Sequence, residues 1–145
     1  MNDSHSIAYM MKMIVDRADT LFHEVMGPIP VTAPQCRLLM YLDSRKGAPV
    51  SQRELEGYLG VSHTTVKGLL ARLEEKGYVR TAFDDAADAR VKHAYLTDTY
   101  HRSHADARAL IDRFEAEIVR GLSEEEQETM KKLLARIYAN VLPKN

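Results

Sequence analysis

Residues 51–97 of this 145-residue chain read SQRELEGYLGVSHTTVKGLLARLEEKGYVRTAFDDAADARVKHAYLT. Ser51 with Glu54 three residues later is a capping-box pattern, which predicts the start of a brief helix. A second helix is expected to begin near His63, after a tight turn, and to stop at Gly77. The first half of the segment therefore predicts two helices joined by a short turn.

The second half of the segment predicts a β-hairpin. Residues 78–83 and 91–96 alternate apolar and polar side chains as strands do, and the polar residues 84–90 form the tip between them. Two helices around a tight turn, followed directly by a hairpin, are typical of a winged helix-turn-helix. In that fold the second helix lies in the DNA major groove, and the hairpin, or wing, reaches an adjacent minor groove.

Helical patterns flank this segment on both sides. Apolar residues recur every three or four positions from Ile7 to Val25, and the pattern ends at the sequence GPIP of residues 27–30. Two further capping boxes, at Thr32 and Ser123, predict helix starts before and after the winged segment. The chain is therefore expected to be mainly α.

Length and composition exclude several classes of protein. With 145 residues, 45% of them hydrophobic, and a net charge of −1, the chain is expected to fold as an ordinary globular domain. Its 20 Lys+Arg against 21 Asp+Glu argue against a histone-like or polybasic membrane-surface protein. No apolar run approaches the ~20 residues that span a bilayer, and the first residues do not resemble a signal peptide. We expect a soluble, cytoplasmic protein without membrane contact.

The exposed side of the second helix carries candidate DNA contacts. Hydroxyl groups and ring nitrogens reach base edges or phosphates, and a lysine neutralises a phosphate. A glycine inside a helix costs about 1 kcal/mol relative to alanine, and close approach of the backbone to DNA or to another helix would account for Gly68. The candidates on this helix are Ser62, His63, Thr64, Thr65, Lys67, Gly68 and Arg72, with Lys76 further along. On the hairpin, Arg90 is the candidate for the minor groove, and Arg80 and Lys92 are candidates for phosphate contacts.

The segment DARVKHAYLT of residues 88–97 resembles the Asp-x-Arg-x5-Leu-Thr wing signature of MarR-type regulators. The segments LEEKGYVR (73–80), SQRELEGYLGVSHTT (51–65) and TAPQCRLLMYL (32–42) also resemble that family, in the right order. The flanking helices match in place and length, so the resemblance covers nearly the whole chain.

The resemblance implies a homodimeric transcription regulator, a repressor, that binds double-stranded DNA at a pseudo-palindromic operator. It implies that Arg90 enters the minor groove, held by a charge-assisted contact with Asp88. Its three parts would be an N-terminal dimerisation helix, a winged helix-turn-helix lobe with a two-stranded β wing, and C-terminal dimerisation helices, at residues 5–27, 31–97 and 98–142. Many such regulators release DNA when a small phenolic or lipophilic ligand binds between these parts. The candidate ligand contacts are Tyr9, Phe22, Met40 and Tyr41.

Other interpretations remain open. Residues 51–97 contain seven Lys/Arg and seven Asp/Glu, so their charge does not itself indicate DNA binding, and the same fold could serve as a protein-interaction module. Cys36 beside Arg37 suggests redox sensing, although a lone cysteine is more often a packing residue. His101 and His104 suggest metal sensing, but spacing fixes no third ligand. No phosphate-binding loop, nucleophile elbow or other catalytic motif is present, so neither an enzyme nor a cofactor is expected.

Overall fold

The computed structural model describes residues 1–27, 29–84, 88–104 and 106–144. In chain order its elements are α1 (Ile7–Met26), α2 (Ala33–Ser44), β1 (Val50–Ser51), α3 (Gln52–Leu59), α4 (His63–Glu75), β2 (Val79–Phe83), β3 (Lys92–Leu96), α5 (Asp98–Ser103), α6 (Ala107–Ile118) and α7 (Glu124–Val141). The expected mainly α, winged helix-turn-helix fold is confirmed. The predicted break at Pro28 and the centre of the hairpin tip, residues 85–87, lie outside the described residues. None of the helices in the described ranges is long and apolar enough to cross a membrane.

Side-chain caps begin most helices where the sequence predicts them. The capping boxes at the starts of α2 and α7 are complete, with both reciprocal hydrogen bonds formed. At α3, Ser51 accepts the backbone N–H of Glu54, but the Glu54 carboxylate does not close a box. It accepts a hydrogen bond from the Tyr41 hydroxyl at 2.6 Å and pairs with Arg45 instead. The predicted cap by the Ser51 side chain therefore forms, but the reciprocal bond from Glu54 does not, because the Glu54 carboxylate connects α3 to α2.

The sheet contains three strands, one more than the two predicted for the wing. β3 pairs antiparallel with both neighbours, so the strand order is β1-β3-β2. In β1, Val50 lies opposite Ala94, and both side chains are buried. A two-residue strand is too short to show alternation in the sequence, so only its tertiary pairing identifies it.

The end of β3 connects the wing to the C-terminal helices. The Thr97 hydroxyl donates to the carbonyl of Gly77 at 2.5 Å and accepts the backbone N–H of Tyr100 at 3.2 Å. The same side chain therefore closes the base of the wing and caps α5, a six-residue helix before α6. This explains why a threonine follows the last strand.

The core lies between α2, α3, α4 and the inner face of the sheet. Leu38, Val50, Leu55, Val66 and Leu73 each have no exposed surface. They come from four different elements of the lobe, and the four leucine and valine residues on helices occupy the apolar positions that the helical periodicity predicts, whereas Val50 lies in β1. Burial of large side chains of this kind is the dominant favourable contribution to folding, so the lobe has its own core.

The turn between α3 and α4 requires a glycine. Gly60 has φ +66°, a left-handed conformation that ordinary side chains rarely adopt. In addition, a Cβ at Gly60 would lie 2.6 Å from the hydroxyl oxygen of Tyr138 on α7. Helix α7 therefore approaches the helix-turn-helix of its own chain at this point.

Helices α1 and α7 leave most of their apolar side chains uncovered. Near its end α1 packs on α6, where the rings of Phe22 and Phe114 meet edge to face with centroids 5.5 Å apart. None of the 18 residues of α7 is buried. Exposed apolar side chains on the two helices, here called the α1–α7 apolar surface, are Ile7, Ile14, Val15, Met130, Leu133, Leu134, Tyr138 and Val141. A surface of this kind on a soluble domain usually marks an interface.

Candidate nucleic-acid interface

The first turn of α4 is exposed and well capped. The Ser62 hydroxyl accepts the backbone N–H of Thr65 at 3.2 Å and lies 3.0 Å from the Thr65 hydroxyl. His63 and Thr64, between them, are exposed. Because free N–H groups and a positive partial charge occur at a helix start, this turn suits a phosphate group.

Side chains of α3 hold His63, the first residue of α4. The Gln52 amide nitrogen lies 2.8 Å from His63 Nδ1 and 3.2 Å from the His63 carbonyl oxygen. A carboxylate oxygen of Glu56 lies 3.4 Å from the same Nδ1. His63 was predicted from the sequence as a candidate contact, but its two partners were not, because residues eleven and seven positions apart come together only when α3 and α4 pack.

Further along α4, the candidate residues Lys67, Gly68 and Arg72 are exposed. Together with Thr64 they lie three or four positions apart, so they share one side of the helix. No described atom lies within 4 Å of the position that a Cβ would take at Gly68. The described part of this chain therefore gives no steric reason for a glycine at this position, and the expected close approach to DNA stays a prediction.

Lys76, which follows Arg72 by four positions, is exposed but has its ammonium group engaged within the chain. That group donates to the Pro30 carbonyl at 2.5 Å and to the Gln35 side-chain oxygen at 2.9 Å. These bonds join the end of α4 to the segment that begins α2. The expectation that Lys76 extends the DNA-contacting surface stays a prediction.

At the described edge of the wing tip, Asp88 clamps Arg90. The guanidinium Nε and Nη2 atoms each lie 3.0 Å from a different oxygen of the Asp88 carboxylate, and the Arg90 backbone N–H donates to it at 3.0 Å. The bonds from Arg90 lower the pKa of the Asp88 carboxyl, and Asp88 raises the pKa of Arg90. The Arg90 side chain remains 89% exposed. An exposed pair adds little stability, so its main effect is to orient the guanidinium.

Arg80 and Lys92 lie on opposite faces of the wing. Arg80 pairs across the strands with Tyr95, and Lys92 is three positions before Tyr95, so the pleat turns Lys92 to the other face. Lys92 shares its face with Thr81, whose hydroxyl donates to Glu74 of α4 at 2.7 Å. The Arg80 guanidinium instead lies 4.3 Å from the centroid of the Tyr95 ring. Of the two predicted phosphate contacts, only Lys92 lies on the α4 side.

A cavity of about 300 Å³ lies between α1, α2, α3 and α6. Two of the four candidate ligand contacts, Phe22 and Met40, line it, together with the aromatic rings of Tyr58 and Phe114. Tyr58 and Phe114 were missed, because helical periodicity does not reveal which apolar side chains border an unfilled volume.

The other two candidate ligand contacts lie outside this cavity. Tyr41 stacks on Tyr58 with ring centroids 4.1 Å apart and donates its hydroxyl to Glu54. Tyr9 is exposed near the start of α1, where it contacts His5. Neither residue borders the cavity that Phe22 and Met40 share.

Cys36 forms part of the same cavity wall but is only 6% exposed. Burial raises the pKa of its thiol to about 11, and the neighbouring Arg37 lowers that pKa by less. The reactive form of a cysteine is the thiolate, which is scarce at neutral pH under these conditions. The structure therefore argues against redox sensing through Cys36.

His101 and His104 do not form the suggested metal-binding pair. His101 is exposed, whereas His104 is buried, stacked on the Tyr100 ring at 5.1 Å and edge-on to the Tyr78 ring at 4.3 Å. The short helix α5 turns the two imidazoles into different environments. In the four described ranges, no three or more His, Cys, Asp or Glu side chains are grouped as metal ligands.

The burial of His104 predicts a loss of stability in mild acid. Neither ring nitrogen has a hydrogen-bond partner among the described residues. Burial lowers the pKa of His104 below its ordinary 6.5, the backbone of Tyr100 raises it by less, and Lys76 lowers it further. Below pH 6.5 the unfolded chain therefore binds a proton that the folded chain rejects, so the free energy of unfolding falls as the pH decreases from 7 to 5.

Urea unfolding at pH 7 and at pH 5, for the wild type and for His104→Phe, tests this prediction. Phenylalanine preserves the aromatic packing and does not titrate, so the variant should lose less stability between the two pH values. The other five histidines are common to both proteins and cancel in the comparison. An equal loss in both proteins would contradict the prediction.

Residues 29–90 match the sequence model of the MarR family. A complex of S. aureus MepR with DNA has a TM-score of 0.85 at 24% identity, covering 97% of this chain and 100% of that one. A probable transcriptional regulator from Pseudomonas aeruginosa has a TM-score of 0.79 at 25% identity, covering 94% of this chain and 99% of that one. BpsR of Bordetella bronchiseptica, whose DNA binding is regulated by 6-hydroxynicotinic acid, has a TM-score of 0.79 at 19% identity, covering 95% of this chain and 96% of that one. These similarities extend over nearly the full length of each chain.

Proposed function

We propose that this chain, whose residues 29–90 match the model of the MarR family, acts as a homodimeric transcription repressor on a pseudo-palindromic operator. The observation that carries this proposal is the pairing, on one lobe, of an exposed and capped α4 start with the clamped, exposed Arg90. The helix suits a major groove and the arginine suits a minor groove. The MarR family regulates transcription and is not a family of enzymes.

The α1–α7 apolar surface supports the homodimer. Most of the stability of a helix in a protein comes from packing its apolar face, and α7 buries none of its residues within its own chain. A second copy presenting the same surface would cover both, since a two-fold interface pairs one patch with itself. Residues 5–27 and 98–142 are therefore the proposed dimerisation parts, and residues 31–97 the DNA-binding lobe. In such a dimer the two α4 helices would lie about 34 Å apart, one turn of DNA.

The cavity lined by Phe22 and Met40 supports release of DNA by a small lipophilic or phenolic ligand. Its walls come from α1 and α6 of the proposed dimerisation parts and from α2 and α3 of the lobe. An occupant would contact both parts at once, and would favour whichever lobe spacing gives it the better contacts. If that spacing no longer matches the two half-sites, DNA affinity falls. The BpsR neighbour, regulated by a small aromatic acid, gives this proposal its precedent.

Filling the cavity should abolish the response to such ligands. The substitution Met40→Trp replaces the methionine side chain with a larger indole ring, which would fill much of a cavity of about 300 Å³. Phenols and aromatic carboxylates that raise the Kd for operator DNA in the wild type, by about 5- to 150-fold for typical coupling, should have little effect on this variant. Fluorescence anisotropy with labelled operator measures the change. Tyr9→Trp, outside the cavity, is the control, and an undiminished response in Met40→Trp would contradict the assignment.

Selection of genomic DNA tests the function as a whole. Fragmented genomic DNA is captured on the purified protein at low salt, recovered and sequenced, with Arg90→Ala as the control. Enrichment of one imperfect palindrome by the wild type alone would support the proposal. No enrichment by the wild type would contradict it, and would favour the alternative of a protein-interaction module, to be pursued by capture of partner proteins.

A further inference from the structure

The contacts around His63 indicate how the first residue of α4 is oriented. Two side chains of α3 converge on its imidazole, and one of them also contacts the His63 carbonyl. The His63 side chain nevertheless remains 68% exposed. The ring is therefore held by α3 while most of its surface stays open to solvent, unlike an unrestrained surface histidine.

We propose that Gln52 is a positioning residue that makes His63 a specificity-determining residue for the operator. This inference rests on the proposed DNA-binding function and adds the chemistry of one contact. The Gln52 amide nitrogen is closer to Nδ1, at 2.8 Å, than to Nε2, at 3.3 Å. The Glu56 carboxylate lies beside the same Nδ1, so two side chains of α3 hold the imidazole in one orientation.

Held in this way, the exposed imidazole of His63 presents a polar ring in a defined orientation at the start of α4. Residues at the N-terminal end of a recognition helix are the ones that contact base edges. In the major groove each base pair presents a distinct pattern of hydrogen-bond donors and acceptors, so a ring held in one orientation matches some base pairs better than others. His63 should therefore discriminate between bases at the position that it contacts.

The contact between Gln52 and the His63 carbonyl has a second consequence. It links the start of α3 to the start of α4 across the tight turn, so the ring and the backbone that carries it are held by one amide. Supporting hydrogen bonds of this kind keep a recognition side chain in a defined orientation, which is what base discrimination requires.

A double-mutant cycle tests the proposal. Gln52→Met keeps the length of the side chain but cannot donate a hydrogen bond to His63. His63→Ala removes the imidazole that is proposed to contact the base. The operator recovered by genomic selection is varied one base pair at a time, symmetrically in both half-sites, and relative affinities are measured by competition. We expect His63→Ala to reduce discrimination at one base pair on the order of tenfold, and Gln52→Met to reduce it at the same pair. In the His63→Ala background, Gln52→Met should cause no further change.

Lys67→Met is the matched control, since it removes an exposed α4 cation and should weaken binding to all operators alike. Circular dichroism at the assay temperature establishes that each variant is folded. A uniform loss of affinity in Gln52→Met without a change in base preference would overturn the proposal and assign the amide a purely structural role. An equal effect of Gln52→Met with and without His63 would also overturn it. If the wild type selects no DNA at all, the proposed function itself fails, which is a distinct result.

Discussion

Arg90→Ala is expected to weaken operator binding by about 100-fold, which would be the largest effect of any single DNA-contacting substitution. Removing an arginine that contacts DNA typically costs about 1–3 kcal/mol, and a dimer loses two. The salt slope of the affinity should also fall by about one per protomer, because each arginine displaces counterions from the phosphate backbone. The free energy of unfolding should remain unchanged, since the Arg90 side chain is 89% exposed.

Fluorescence anisotropy between 50 and 200 mM salt measures both quantities, over the range in which phosphate contacts change affinity strongly. Arg120→Ala is the matched control, because Arg120 is also exposed and also pairs with a nearby carboxylate, Glu117, but lies in the segment between α6 and α7. Asp88→Asn should fall between the wild type and Arg90→Ala, since the arginine remains but loses its clamp. If Arg90→Ala left the operator affinity and its salt slope unchanged, Arg90 would not be part of the DNA interface.

The double substitution Leu133→Glu with Leu134→Glu is expected to convert the proposed dimer to monomers and to reduce operator affinity by at least 100-fold. Both leucines lie in the α1–α7 apolar surface and are exposed within the chain, so the change should not disturb the lobe. Burying a leucine side chain contributes about 1.5–3 kcal/mol, and a two-fold interface counts each substitution twice. A monomer engages one half-site only, and therefore loses the affinity gained by linking two lobes.

Sedimentation analysis distinguishes a 16.5 kDa monomer from a species of twice that mass. Lys131→Glu on the same helix is the matched control, since it also adds negative charge to α7 at an exposed position but removes no apolar side chain. Circular dichroism confirms that the lobe is folded in each variant. A double variant that sediments like the wild type and binds operator equally well would show that α7 does not form the interface.

Much of the lobe could be predicted from local sequence. The caps at the starts of α2, α4 and α7 depend on hydrogen bonds between residues three positions apart, so the sequence shows them directly. The contact between Asp88 and Arg90 spans two residues and was likewise expected. The half-formed box at Ser51 shows the limit of this reasoning. The second hydrogen bond of that box does not form, because the Glu54 carboxylate instead accepts a hydrogen bond from Tyr41, thirteen residues away.

The candidate site likewise has features that local sequence predicts and features that depend on distant residues. The exposed side of α4 follows from helical periodicity, which places its apolar residues in the core and leaves His63, Thr64 and Lys67 outside. The engagement of the Lys76 ammonium group within the chain does not, because its partners Pro30 and Gln35 are 46 and 41 residues away along the chain. Nor does periodicity indicate that Arg80 and Lys92 lie on opposite faces, which requires the strand register.

The sequence by itself determined the order of helices and wing, their caps, the match of residues 29–90 to the MarR family model and the outward side of α4. Each depends on neighbours within about four residues or on a local motif, whose geometry the backbone fixes wherever the segment lies. Only the tertiary structure decided that His104 is buried, that Gln52 contacts His63, that side chains of α1, α2, α3 and α6 line one cavity, and that α7 remains uncovered. These features depend on how distant segments pack, and close packing is a property of the assembled surfaces rather than of any one segment.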